Sequence, residues 1–306
     1  MSCIALSGSS GLIGSALKKQ LIEQGHTLLP LWRSVQNTPG ILWDIRNNYI
    51  ETPALEGVDT VIHLAGHPIT SRWNPQTKQE IESSRVLGTR LLVEGLRQMK
   101  QTPKTLICAS AIGYYGDRGD EILTEQHLPG QHFLSKVSVA WEREALKAEA
   151  FGVRVVLLRF GIVLSLKGGA LRQMVHFFQN GMAGSLGQGK QWMTWVSLQD
   201  TLRAILYLLE HEEQRGPFNI ASPTAVTNLA FSQSLAQTLQ LSSLRSISAF
   251  QLRLFLGAEM VQELLLSSTR CLPSALQKSG FVFKDTRVEQ VLAREFQKKG
   301  AYSFES

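Results

Sequence analysis

Gly8, Gly11 and Gly14 stand in the run Ser7-Gly8-Ser9-Ser10-Gly11-Leu12-Ile13-Gly14. The apolar stretch Cys3-Ile4-Ala5-Leu6 precedes it and a helical pattern from Ser15 to Gln24, closed by Gly25, follows. Glycines so placed between a strand and a helix can bind a pyrophosphate. Missing Cβ atoms let it approach, and backbone N–H groups and the positive end of the helix dipole face it. About twenty residues later the second strand ends in Trp32-Arg33-Ser34. A carboxylate there would hold a ribose 2′-hydroxyl, whereas a guanidinium can make bidentate, charge-assisted bonds to a 2′-phosphate. NADP(H) is therefore expected over NAD(H); the alternative is that Arg33 is a solvated loop residue. Asp44, at the end of a third strand, is placed to accept from the adenine amino group.

Other chemistries lack their residues. No Gly-x-Ser-x-Gly elbow marks a serine hydrolase, and Gly184-Ser185-Leu186-Gly187 lacks the spacing. His63, His67, His176 and His211 have no evident acidic partner in the sequence and read as structural or surface residues. Cys3, Cys108 and Cys271 are odd in number and far apart. They fit reduced thiols in a cytoplasmic protein, and no Cys/His cluster has zinc spacing, so no metal is expected.

The elements that must position the glycines alternate as a doubly wound sheet requires. Expected strands are Cys3 to Leu6, His26 to Trp32, Gly40 to Trp43, Asp59 to Gly66, Thr105 to Ser110 and Val153 to Arg159. Helices are expected from Ser15 to Gln24, Lys78 to Met99 and Phe133 to Phe151. Beyond Gly161 the rhythm breaks. Trp192 to Val196 and Pro217 to Ile220 read as strands around a helix from Leu198 to Glu210, and the rest is mostly helical. The fold class is α/β: a Rossmann-type doubly wound parallel sheet with a smaller, mostly helical C-terminal substrate lobe. Residues 1–160 form the dinucleotide core, 191–222 return to it, and 161–190 with 223–306 form the lobe.

The 306 residues, 43% of them apolar, suffice for a large core, and no stretch approaches the ~20 apolar residues of a membrane span. The N-terminal apolar stretch reads as the first strand rather than as a secretion signal. The net charge of +6 is scattered, with no run beyond Lys18-Lys19 and Lys298-Lys299. That excludes a clustered nucleic-acid stripe and suits an anionic small-molecule ligand. No membrane partner is expected, and the chain is read as a monomer or homodimer.

Several stretches resemble one family. They are the glycine run, Val61-Ile62-His63-Leu64-Ala65-Gly66, Arg72-Trp73-Asn74, Ser84-Arg85, Ser110-Ala111-Ile112-Gly113-Tyr114-Tyr115-Gly116, Trp141-Glu142, Arg159-Phe160-Gly161-Ile162-Val163-Leu164, Gly168-Gly169-Ala170 and Phe218-Asn219-Ile220-Ala221. With these the chain resembles an extended short-chain dehydrogenase/reductase. More narrowly it resembles the atypical epimerase-family proteins of the YfcH/SDR39U1 type, over residues 1 to about 297. The resemblance implies that Arg33 and Ser34 meet the adenosine phosphate and that Leu64, Ala65 and Gly66 line the dinucleotide. It also implies that Glu80 and Arg85 approach from the long helix, while Phe160, Gly161 and Ile162 pass the nicotinamide. On its own Arg85 reads as a surface helix residue.

In the superfamily a Tyr four residues before a Lys exchanges the proton, the Lys binds the nicotinamide ribose, and a Ser after the fifth strand orients the substrate oxygen. Here Lys136 takes the Lys position and His132 stands where Tyr is expected. An imidazole can shuttle a proton near neutrality but is shorter than a phenol, and the alternative reading of His132 is a surface residue at a helix start. Ser110 is the candidate orienting hydroxyl, although an ungapped match puts Ala111 there. Tyr114 and Tyr115 are substitute acids. The resemblance implies an NADP(H)-dependent oxidoreductase or epimerase-like enzyme acting on a small carbonyl or hydroxyl compound, with nucleotide sugars as one class. The alternative is an NADP(H)-binding sensor or regulator with little turnover.

Overall fold

Alternating apolar runs and amphipathic helices lay down one sheet first. The computed structural model describes residues 1–36 and 38–300. In chain order the first half contains β1 (Cys3–Ser7), α1 (Leu12–Glu23), β2 (Thr27–Trp32), β3 (Ile41–Asp44), β4 (Tyr49–Ile50) and β5 (Thr60–His63). There follow α2 (Pro75–Arg97), β6 (Thr105–Ala111), β7 (Ile122–Leu123), α3 (Phe133–Leu146) and β8 (Arg154–Phe160). The second half contains β9 (Ile162–Leu164), α4 (Gly169–Phe177), β10 (Trp192–Met193), β11 (Trp195–Ser197), α5 (Leu198–Glu210), β12 (Gly216–Ile220) and β13 (Val226–Thr227). It closes with α6 (Asn228–Thr238), α7 (Ala249–Leu256), α8 (Ala258–Met260), β14 (Arg270–Cys271), α9 (Ser274–Lys278) and α10 (Val288–Gly300).

The main sheet has the order β12-β8-β6-β5-β1-β2-β3-β4 and is parallel except for the β3–β4 pair. Its order reverses beside β1, where Ala5 pairs with Leu29 on one side and Val61 on the other. That reversal opens a ligand crevice at the strands' carboxyl ends. One face buries Trp43, Leu92, Leu96 and Trp141 under α2 and α3; the other buries Leu17, Leu21, Ile205 and Leu208 under α1 and α5. A third core, with Leu171, Val175, Trp195, Phe231 and Leu292, belongs to α4, α6 and α10.

Three departures from the sequence reading bear on the site and its surroundings. Helix α2 starts at Pro75, because Asn74 accepts the Thr77 N–H and proline suits the first helical position. The run Trp192 to Val196 is two short strands broken at Thr194, whose hydroxyl donates to the Thr269 carbonyl while its own carbonyl accepts from Ile162. Finally, α9 and Phe281 lie on the sheet face with α1 and α5 rather than in the third core, since Leu276 and Phe281 cover Phe218 and Ile220.

Candidate functional site

At the crevice the chain leaves β1 at Ser7 and turns through Gly8, whose φ of +69° favours glycine. The Gly11 N–H closes the turn on the Gly8 carbonyl at 3.0 Å. Helix α1 then begins at Leu12 with no side-chain cap among the described residues and no acid in its first turn. Its first N–H groups therefore have no intrahelical partner and face the crevice, which suits an anion. A Cβ on Gly14 would fall on the Gly8 carbonyl, and one on Gly8 would stand 2.9 Å from Leu64 and Ala65 backbone. These are cradle residues that tolerate no side chain. Ser9 is buried, Ser10 is exposed, and Leu12 packs against Gly168-Gly169.

A buried relay holds the cradle to the exit of β5. The Leu64 and Ala65 N–H groups donate to Ser7 Oγ at 3.0 and 3.2 Å, so the hydroxyl proton goes to His63 Nδ1, 2.6 Å away. The tautomer this selects donates from His63 Nε2 to Thr89 Oγ1 at 3.0 Å. Burial lowers the His63 pKa to about 4, below the unfolded value. Its contribution is complete above pH ~6.5 and lost as pH falls toward ~4, at ~1.4 kcal/mol per pH unit. Urea midpoints at pH 7, 6 and 5 should fall more steeply for the parent protein than for His63→Gln. Parallel curves would show that His63 does not titrate this way.

At the adenosine end Arg33 and Ser34 are exposed past β2, and Ser34 Oγ accepts from Gln36. The Trp32 indole fills the space that Gly40 leaves. Asp44 accepts from the Arg46 and Asn47 N–H groups and from the Asn47 amide, bonds that lower its pKa. The carboxylate thus already shapes its own turn. Glu80 accepts from Gln76 and lies 3.4 Å from His67 Nε2, so His67 has the acidic partner that the sequence did not reveal. Arg85 is not a solvated helix residue. It donates to the His67 and Ile81 carbonyls at 3.0 and 3.1 Å and lies against Gly66, and burial pushes its pKa down to about 10. Among the described residues no carboxylate pairs with this guanidinium.

The expected catalytic group does not assemble. His132 is the N-cap of α3 and is exposed. At 100° per residue Ser135, Ser138, Trp141, Glu142 and Ala145 form the inward face, which leaves Lys136 exposed on the opposite one. Positions i and i+4 facing the sheet are instead Leu134 and Ser138, and the Ser138 hydroxyl donates back to the Leu134 carbonyl. Ser110 is 2% exposed and donates to Glu142 Oε1 at 2.6 Å, so its hydroxyl is committed beneath the crevice. Tyr115 is fully buried; its hydroxyl donates to Asn219 Oδ1 at 2.7 Å and accepts from Arg159 at 3.0 Å, and burial pushes its pKa up. Tyr114 differs. It is half-buried, its ring lies 3.5 Å from the Arg159 guanidinium, and among the described residues its hydroxyl has no hydrogen-bond partner. Phe160 ends β8, and Gly161 and Ile162 turn beside Thr194, which a Cβ on Gly161 would meet at 2.9 Å.

A cavity of about 780 Å³ is lined by Asp120, Gln188, Lys190, Gln191, Ser248 and Leu266 among others, and by Ser268, whose hydroxyl accepts the Trp192 N–H two residues before Thr194. Asp120 accepts from the Trp192 indole, and Arg270 stacks on that indole at 4.1 Å.

The model of the NAD dependent epimerase/dehydratase family matches residues 4–221. The chain belongs to this family. An epimerase family protein of Mycobacterium leprae is 34% identical over 295 residues, covering 95% of this chain and 94% of its own length. One from Staphylococcus aureus is 33% identical over 292 residues, covering 94% and 96%. Among solved structures, a nucleoside-diphosphate sugar epimerase from Corynebacterium glutamicum superposes with a TM-score of 0.80 at 32% identity, covering 96% of this chain and 58% of that one. Human epimerase family protein SDR39U1, solved with NADPH, shares the fold with a TM-score of 0.85 at 24% identity, covering 96% and 99%. Residues 247–295 match a domain of unknown function, DUF1731.

In this epimerase-family chain the sequence reading missed the charged hub below the crevice. Arg159 donates to both Glu142 oxygens at 2.8 Å and to the Glu125 carbonyl at 3.3 Å. Asn219 receives Tyr115 on one side and donates to the Leu272 carbonyl on the other. A signal was available. An arginine inside the apolar run Val155 to Phe160, and an acid on the inward face of α3, must find partners when buried. Among the described residues no helix is long and apolar enough to cross a membrane.

Proposed function

We propose that this epimerase-family protein is an NADP(H)-dependent oxidoreductase or epimerase-like enzyme whose substrate is a small carbonyl or hydroxyl compound of the nucleotide-sugar class. The observation that carries the reading is the uncapped start of α1 inside a glycine cradle, with the exposed guanidinium of Arg33 at the end of the neighbouring strand. The cradle fits a pyrophosphate, Arg33 and Ser34 fit the 2′-phosphate, and Arg85, against Gly66 and bonded to carbonyls, is a second cation suited to the dinucleotide. When bound, the nicotinamide exchanges hydride with a carbonyl. The chain's part is to hold the dinucleotide, seat the substrate in the cavity near Lys190 and Arg270, and exchange a proton at the oxygen. With Ser110 and Tyr115 committed and Lys136 facing outward, Tyr114 is the hydroxyl free to exchange that proton. Cys108 and Cys271, buried as free thiols, support a reducing cytoplasm.

The same commitments of Ser110 and Tyr115 favour the second reading, an NADP(H)-binding sensor without turnover. Thermal shift and turnover assays separate the two. NADPH at ~100 Kd should raise the melting temperature by roughly 5–10 °C, and NADH should do less. A panel of nucleotide sugars and small carbonyls should then include one that oxidises bound NADPH, about 100-fold more slowly with Tyr114→Phe. Binding without oxidation by any compound would favour the sensor, and no shift with NADPH would remove the cofactor reading.

A further inference from the structure

The C-terminal segment 257–266 grips both long helices at their N-termini, the ends that open on the crevice. Lys78, in the first turn of α2, donates to Glu259 Oε1 at 2.7 Å, and its ammonium lies 4.5 Å from the Phe133 ring. Phe133 in turn packs edge-on against Trp73 at 5.3 Å. Glu263 makes the tighter tie: Oε1 accepts the Phe133 N–H at 3.0 Å and Oε2 the Leu134 N–H at 2.9 Å. Those are the first two helical N–H groups of α3, which no carbonyl of that helix can satisfy. Leu134 is also the inward residue beside Gly113, at the carboxyl end of β6. On its other side the segment borders the cavity. Gln191 donates to the Leu265 carbonyl at 3.1 Å, and Leu266 lines the cavity against Gly187.

We propose that Glu263 is a positioning residue. From the segment that matches a domain of unknown function it clamps the first turn of α3 and so sets the wall of the crevice at its nicotinamide end. The proposal rests on the dinucleotide reading above. The test uses the full chain with Glu263→Ala and Glu263→Gln, hydrogen exchange with and without NADPH, and acrylamide quenching of bound NADPH emission. In Glu263→Ala the Phe133 and Leu134 amides should exchange about tenfold faster. The NADPH Kd should stay within about twofold, because the Glu263 carboxylate bonds to α3 and not to the Gly8–Gly14 cradle. Quenching should at least double, and Glu263→Gln, which keeps one acceptor oxygen, should fall between. Unchanged exchange would overturn the clamp. Faster exchange with parental quenching would reduce Glu263 to a helix cap and overturn the positioning role. If the parent protein does not bind NADPH, the dinucleotide reading fails, and exchange alone decides the clamp.

Discussion

Arg159→Met should destabilise the fold by about 3–5 kcal/mol, lowering the melting temperature by roughly 10 °C. Arg159 is 3% exposed and Glu142 6%, and the guanidinium meets both carboxylate oxygens. Burial alone would lower the Arg159 pKa, but the bonds to Glu142 and its charge outweigh that and raise it. Removing the guanidinium leaves Glu142 with the Ser110 hydroxyl as its remaining partner among the described residues, an uncompensated buried charge. Tyr115 keeps Asn219, so most of the penalty falls on Glu142. The double variant Arg159→Met/Glu142→Leu should therefore recover most of the loss, since a buried ion pair replaced by apolar groups is often neutral. Urea unfolding of the parent, both single variants and the double variant checks this. A double variant no more stable than Arg159→Met would show that the pair is not coupled.

That hub also marks the limit of what the sequence could disclose. The cradle was legible because its signal is local: strand, glycines and helix are contiguous, and the missing Cβ atoms are written in the residue types. The sheet was legible for the same reason, each strand carrying its own apolar run. The catalytic group is what the family resemblance implies, a pair at i and i+4 on α3, and such spacing does not say which face of a helix meets the sheet. Ser135, Ser138 and Glu142 turn inward, which leaves Lys136 on the outside. The partners of Ser110 and Tyr115 lie 32 and 104 residues away, and no local pattern joins Ser110 to Glu142 or Tyr115 to Asn219. Glu263 sits further still from the amides it accepts. Long-range polar pairing is where sequence reasoning ran out, and here such pairs decide which hydroxyls are free.

Arg33→Asp should weaken NADPH by about 100-fold or more while leaving NADH within about threefold. The two contributions have one sign. The variant loses charge-assisted bonds from an exposed guanidinium and places a carboxylate beside a phosphate that carries nearly two charges. For NADH the new carboxylate can accept from the ribose 2′-hydroxyl, which offsets any lost contact. Nothing in the cradle changes, because Arg33 lies beyond the last residue of β2 and Gly8, Gly11 and Gly14 keep their geometry. Fluorescence titration of both nucleotides, at low and physiological salt, separates this from a general loss. The NADPH affinity of the parent should fall with salt, because an exposed charge pair is screened within ~8 Å at physiological ionic strength. In the variant salt should relieve repulsion instead, so the two slopes have opposite signs. An equal loss of both nucleotides would remove Arg33 from the 2′-phosphate, and the preference for NADP(H) would lose its basis.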